Sequence, residues 1–177
     1  IGLSTLTDLP ADRQFLVELQ NSRTQALEIV GILDLALGGT SGKAVHLRAL
    51  ADIPDLSSYG WTVQNDYETL SAIEGSFPAL SVLAGDDILI ARDPNALENY
   101  MNASLYYDYI FTANDFLDHN GDDSVYVFRN GFIEDSFDAS NGYHGDTWAY
   151  KVDGEWVAGN PGSFAEDIWS SSSIYPH

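Results

Sequence analysis

The segment from Asp118 to Asp123 carries the side chains best suited to bind a metal ion. Four oxygen donors fall within six residues, on Asp118, Asn120, Asp122 and Asp123. Calcium prefers carboxylate and amide oxygens and takes roughly six to eight of them. The segment is not an EF-hand, because its glycine comes too early and no glutamate follows at the closing position. Two interpretations stay open: a calcium site, and a structural turn in which an aspartate binds backbone amides of its own loop.

A second group with possible binding chemistry consists of aromatic residues in the last third of the chain. Aromatic rings present an apolar face with a polar rim, which suits the face of a sugar. Trp148, Tyr150 and Trp156 are therefore candidate ligand-binding residues. The alternative is that these rings fill the core, since buried aromatic residues dominate the packing of β-sandwiches.

Patterns that are typical of enzymes are incomplete in this chain. The glycine-rich segment 38–43 is not a phosphate-binding loop, because Ala44 follows Lys43 where serine or threonine is needed. The four histidines have no zinc spacing, and the absence of cysteine excludes catalytic thiols. No G-x-S-x-G elbow presents a serine nucleophile, and 27 acidic residues offer carboxylate pairs that only geometry could select. The sequence predicts a non-catalytic protein.

The charge of the chain limits the classes of partner that it is expected to bind. Its formal net charge is −20, from 27 acidic and seven basic residues. Such a chain repels phosphate backbones and anionic headgroups, so we expect neither nucleic-acid binding nor membrane insertion. It also repels itself, and divalent cations or high ionic strength relieve that repulsion. Calcium-rich, salty surroundings would suit this composition, with calcium as the expected cofactor.

The stretch from Gly42 to Trp61 organises the chain, because it predicts a strand, a turn and a second strand in succession. Two sets of residues alternate along the first strand, with the two-residue period of a strand that has one buried face: Val45, Leu47 and Ala49 against His46, Arg48 and Leu50. The turn residues 52–55 end this strand, and Trp61 begins the next. Many short strands of this kind favour an all-β fold.

Other segments predict further strands and two helices. The apolar run 27–37 predicts a buried strand, and Asn130-Gly131 predicts a β-hairpin between two alternating segments. Short strands are also predicted at 67–70, at 106–112 and on both sides of Asp153-Gly154. Residues 11–22 predict a short helix, and Asp93 before Pro94 predicts the start of another that ends near Met101 and covers one end of the sandwich.

The order of several motifs is specific enough to suggest a family. The motifs are GGTSGKAVHL at 38–47, DLSSYG at 55–60, FPA at 77–79, AGDDI at 84–88, NGDDSV at 120–125 leading through Asn130-Gly131 to DSF at 135–137, WAY at 148–150, and Trp169. This order resembles the lamin tail domain family, and its secreted bacterial branch most. The resemblance covers about residues 26–171. It departs from the family pattern in the helix at 11–22 and in His46, which stands where an acidic residue is usual.

The resemblance implies an immunoglobulin-like β-sandwich with one or two short peripheral helices. We expect an N-terminal segment with a short helix at 1–25 and the sandwich domain at 26–177. Members of the family act as binding, attachment or accessory modules beside many kinds of enzyme, so the resemblance implies a fold more firmly than a function.

Two functions from different classes follow as expectations. The first is a non-catalytic extracellular structural or adhesion module that assembles with copies of itself, assisted by calcium. Assembly would use the N-terminal segment or exposed strand edges, with the run 27–37 as the candidate edge. The second is an accessory domain of a secreted hydrolase that binds carbohydrate or another ligand through its late aromatic residues.

Overall fold

A computed structural model describes residues 24–65, 70, 73–113, 115, 117–138, 140 and 145–159. The predicted helix at 11–22, nearly all of the predicted strand at 67–70 and Trp169 lie outside these residues. So does most of the predicted N-terminal unit, whose boundary with the sandwich stays a prediction.

The described residues form ten strands and one α-helix. In chain order the strands are β1 (Leu27–Leu35), β2 (Gly42–Ala49), β3 (Tyr59–Gln64), β4 (Gly75–Ser76), β5 (Asp87–Ala91), β6 (Tyr109–Thr112), β7 (Ser124–Arg129), β8 (Phe132–Phe137), β9 (Thr147–Val152) and β10 (Glu155–Ala158). The helix α1 spans Pro94–Met101, and short 3-10 helices span Leu56–Ser58 and Ala103–Leu105. No helix in this part of the chain has the length and apolarity that crossing a bilayer requires.

The strands are arranged in two sheets. The larger sheet has the order β10-β9-β1-β2-β5-β6, and the smaller has the order β4-β3-β7-β8. All described pairs of strands are antiparallel except β5 and β6, which pair in parallel. A parallel pair needs a crossover connection, and α1 lies within it. The predicted all-β sandwich with a short helix is confirmed.

Two apolar cores lie on the two faces of the larger sheet. The inner core fills the space between the sheets and includes Ile32, Val45 and Leu47 from the larger sheet with Trp61 and Val127 from the smaller one. The outer core lies on the opposite face, where Leu97 and Met101 of α1 pack against residues of the larger sheet, among them Leu33, Leu89 and Tyr150. The helix therefore covers a face of the larger sheet and not, as predicted, one end of the sandwich.

The covering of the larger sheet by α1 changes the interpretation of β2. The sequence predicts one buried face, but His46 is 0% exposed and packs against Tyr107, with ring centroids 4.9 Å apart. The prediction of a single buried face is wrong, because α1 and the segment after it cover the side that the alternation assigns to solvent. A polar residue on the covered face must then find its partners inside the protein.

The strand β1 is central in its sheet. It pairs with β2 from Leu27 to Leu35, and with β9 from Gly31 to Asp34. The expectation that the run 27–37 offers an exposed edge for assembly is therefore wrong, whereas its prediction as a buried strand is confirmed. Asn130 and Gly131, both at positive φ, form the tight turn that the hairpin β7–β8 requires, as predicted.

Two carboxylates of β8 bind the part of β1 that β9 does not reach. The backbone amide of Ala26, just before β1, donates to Glu134 Oε1 over 2.7 Å, and that of Ile29 donates to Asp135 Oδ2 over 2.7 Å. Burial raises the pKa of Asp135, against the opposing effect of its hydrogen bond from Ile29. We call these four residues the carboxylate seam, since they join the two sheets where no strand ladder does.

The seam gives a first prediction, in which Asp135→Ala lowers the free energy of unfolding by about 1–3 kcal/mol because it leaves the buried amide of Ile29 without its acceptor. Asp135→Asn keeps an acceptor oxygen and loses less. Urea denaturation monitored by tryptophan fluorescence measures both, with the exposed Glu155→Ala as the control. Equal stability of Asp135→Ala and the wild type would show that the seam does not hold the sheets together.

Candidate functional site

The predicted metal-binding loop is attached to the larger sheet by a buried lysine. Lys43 lies opposite Asp34 in the register of β1 and β2, and its Nζ is 3.2 Å from Asp34 Oδ1. The same ammonium donates to the backbone carbonyl of His119 and, over 3.1 Å, to Asn120 Oδ1. Lys43 is 4% exposed. All three ammonium protons thus have an acceptor, two of them in the loop.

Within the loop, one carboxylate binds the backbone of its own turn. Asp123 Oδ2 accepts from the backbone amide of Asn120 over 2.7 Å, and Asp123 is 2% exposed. This is the arrangement that the structural interpretation of the loop predicted. Asn120 is consequently fixed at two points, its backbone by Asp123 and its side-chain oxygen by Lys43.

A second cation binds the residues just before the loop. Arg92, just after β5, donates to the backbone carbonyl of Leu117 over 3.2 Å and to Asp115 Oδ1 over 3.0 Å. Two basic side chains, Lys43 in β2 and Arg92 just after β5, thus bind main-chain oxygens of the segment that leads into β7. Charge-assisted hydrogen bonds of this kind are stronger than neutral ones, so the segment has a defined position on the sandwich.

The four predicted metal ligands therefore differ in their surroundings. Asn120 and Asp123 have their oxygens in the hydrogen bonds just described, while Asp122 is exposed and Asp118 is half-buried. Among the described residues, no three side chains of the types His, Cys, Asp and Glu converge on a point where they could hold a metal ion. Calcium binding by this loop stays a prediction.

The three predicted ligand-binding aromatics lie on opposite faces of the larger sheet. Trp148 and Tyr150 belong to the outer core and are 5% and 1% exposed. Gly31 of β1 makes room for Tyr150, since a Cβ there would overlap its ring. Trp156 packs on the inner side against Phe137, with ring centroids 4.6 Å apart, and Lys151 Nζ lies 5.3 Å from its ring centroid. The structure does not bring the three rings together on one open surface.

A charged cluster that sequence reasoning missed lies in the outer core. His46 Nε2 is 2.8 Å from Asp87 Oδ1, and Arg48 binds both Asp87 oxygens, over 3.0 and 2.9 Å. Burial lowers the pKa of His46 against the opposing effect of Asp87. Burial alone would raise the pKa of Asp87, but its hydrogen bonds from His46 and Arg48 lower it below its usual value. A neutral imidazole between two tyrosines, with no exposed surface, is a structural group in this arrangement.

The chain matches no family model and no curated protein. The resemblance to the lamin tail domain family therefore stays a prediction that depends on the order of the motifs.

The sequence did contain a signal for Lys43. Because side chains alternate along a strand, Lys43 shares the inward face of β2 with Val45 and Leu47. A lysine on an inward face needs a buried partner, and Asp34 in the neighbouring run is the nearest acidic residue before the turn. The partner in the loop, Asn120, lies far away in sequence, and no local pattern indicates it.

The buried histidine gives the second prediction, which concerns pH. The pKa of His46 is lower in the folded chain than its unfolded value of about 6.5. Its contribution to stability is then present above that pH and is lost as the pH falls below it. The depressed pKa of Asp87 adds a similar loss only in the more acidic range below about pH 4.

We therefore expect the contribution of His46 to the free energy of unfolding to fall between about pH 7 and pH 5, by at most about 1.4 kcal/mol per pH unit. The raised pKa of Asp135 has the opposite effect in the acidic range, so the comparison with a His46 variant isolates the histidine. His46→Gln removes this part of the slope. Denaturant unfolding of both proteins across this range measures the difference. Identical slopes in the two proteins would contradict the prediction.

Proposed function

We propose that this protein is a non-catalytic structural or adhesion module that works outside the cell and pairs with a second copy of itself through a strand edge. The edge strand β6 carries the proposal. Among the described residues it is one of the two edge strands of the larger sheet, and it has no charged residue from Tyr109 to Thr112. Its first three side chains are half-buried and Thr112 is exposed. An uncharged edge strand is a template for pairing with another strand.

The other described edges are less suited to pairing. β4 has only two residues, and β10 carries the exposed Glu155. The strand β8 lies beside β1 and directs two carboxylates of the seam toward it. Short edges and charged side chains are the devices by which proteins prevent unwanted pairing. The uncharged β6 stands out against them.

A second copy fits this edge because a strand edge is self-complementary. When two β6 strands run antiparallel, the backbone donors of each face the acceptors of the other, and a two-fold axis relates the copies. Their two larger sheets would then form one continuous sheet. This is strand addition between identical partners.

Charge supports a role for cations in this pairing. Each copy carries a formal charge of −20, so association brings two strongly acidic surfaces together. The exposed residues Asp108 and Asp115 flank β6. In the antiparallel arrangement, the start of one β6 lies beside the end of the other. Asp108 of one copy therefore comes near the segment of the second copy that leads from β6 to Asp115. Asp115 already has Arg92 as a counter-ion, so calcium would act mainly on Asp108 and on the general excess of negative charge, which salt would screen less specifically.

The third prediction tests the pairing in solution. Size-exclusion chromatography with light scattering should show a monomer in chelator and a dimer or larger assembly in millimolar calcium. Magnesium and sodium chloride at matched ionic strength separate specific binding from screening. A chain that stays monomeric under all these conditions would contradict the proposed function.

A matched pair of variants locates the interface. Thr112→Lys places a charge on the exposed end of β6 and should abolish association, whereas Thr112→Ser should leave it unchanged. The lysine lowers the net negative charge, which by itself would favour association, so a loss cannot come from repulsion between the chains. Undiminished assembly of Thr112→Lys would place the contact elsewhere.

A further inference from the structure

The buried ammonium of Lys43 and two groups beside it have the chemistry of an amide exchange. A primary amine, a carboxamide and a carboxylate meet at one point: Nζ is 3.1 Å from Asn120 Oδ1 and 3.2 Å from Asp34 Oδ1. The carbonyl carbon of Asn120 is one bond beyond that oxygen. We propose that Lys43 and Asn120 form an intramolecular amide bond, with Asp34 as the general acid and base of the reaction.

The reaction balances without any further reagent. Asp34 takes a proton from the Lys43 ammonium, and the neutral amine attacks the Asn120 carbonyl carbon to form a carbon–nitrogen bond. The protonated Asp34 then gives its proton to the side-chain nitrogen of Asn120, the old carbon–nitrogen bond breaks, and ammonia leaves with the bonding electrons. The attacking nitrogen still holds one proton more than an amide nitrogen carries, and it passes that proton through Asp34 to the ammonia, which departs as ammonium. One amide replaces another, and the positive charge of the lysine leaves with the product.

The surroundings hold these groups in place. Asp34 Oδ2 accepts from the backbone amide of Asp146 over 3.4 Å, which leaves Oδ1 toward the lysine. Asp123 binds the backbone of Asn120, and the His119 carbonyl binds the ammonium. Reactants that are held in place react faster, because the entropy of bringing them together has already been lost in folding. The lysine is buried, whereas Asn120 reaches the surface, so ammonia has a path out.

The bond would join the two sheets covalently. Lys43 lies at the start of β2 in the larger sheet, and Asn120 lies in the loop that enters β7 of the smaller sheet. A cross-link between residues so distant in sequence restricts the unfolded chain strongly. The inference does not depend on the proposed pairing through β6, because it concerns bonds within one chain.

Mass spectrometry of the denatured intact chain tests the proposal. We expect a mass below that of the sequence by one ammonia, and a net charge more negative by one in isoelectric focusing. Cleavage after lysine and arginine should yield a branched peptide that joins residues 24–48 to residues 93–129, because Lys43 in an amide is not cleaved. Lys43→Arg, Asn120→Ala and Asp34→Ala should each keep the full mass.

Two results would overturn the proposal. One is a wild-type chain at the full sequence mass, with Lys43 cleaved normally. The other is an ammonia loss that maps to a different residue, such as a succinimide at Asn130 before Gly131. Both can be read from the wild-type protein alone, so the proposal stays testable even if a variant fails to fold.

Discussion

Burial of β1 and β2 on both faces is the constraint on which the rest of the structure depends. The smaller sheet covers their inner face, and α1 with the segment after it covers the outer one. Every polar group on these strands must therefore find a partner inside the protein, since an unpaired buried polar group costs about 1–3 kcal/mol. Asp34 and Lys43 meet this requirement on the inner face, and His46 meets it on the outer face with Asp87. The carboxylate seam provides acceptors for the backbone amide of Ile29 in β1 and for that of Ala26, the residue before β1.

These internal partners also decide how an acidic chain stays folded. Of the seven basic residues, Lys43, Arg48, Arg92, Arg129 and Lys151 each lie within 4 Å of a carboxylate of the same chain. Most of these ion pairs join strands of the same sheet, and Arg92 binds the segment before β7. Many of the described acidic residues without such a partner lie on the surface, among them Asp52, Asp122 and Glu155. A surface of one sign keeps copies apart unless an uncharged edge or bound cations bring them together. The same distribution of charge therefore stabilises the folded chain and makes separate copies repel each other.

Local patterns in the sequence predicted the elements well and their surroundings poorly. The Asn130-Gly131 turn, the β1 strand and the Asp93 cap of α1 depend on neighbours within a few residues, and all three are confirmed. The position of α1 over a face of the sheet depends on a crossover between parallel strands, for which short-range periodicity carries no signal. Because α1 and the segment after it cover this face, His46, Trp148 and Tyr150 are buried. The same limit hid the contact of Lys43 with Asn120, because each residue looks ordinary in its own segment.

The pairing of β1 with β9 has a consequence for the kinetics of folding. The two strands come from opposite ends of the described chain, yet Gly31 lies opposite Tyr150 at the centre of the larger sheet. Closing so long a loop costs entropy before any contact compensates for it, and chains dominated by such contacts fold slowly. The hairpin β7–β8 and the pair β1–β2 are local and can form early, whereas β9 can pair with β1 only after all the residues between them have been synthesised. During that interval one side of β1 stays open to other strands, so the newly made chain is at greater risk of aggregation than the finished sandwich.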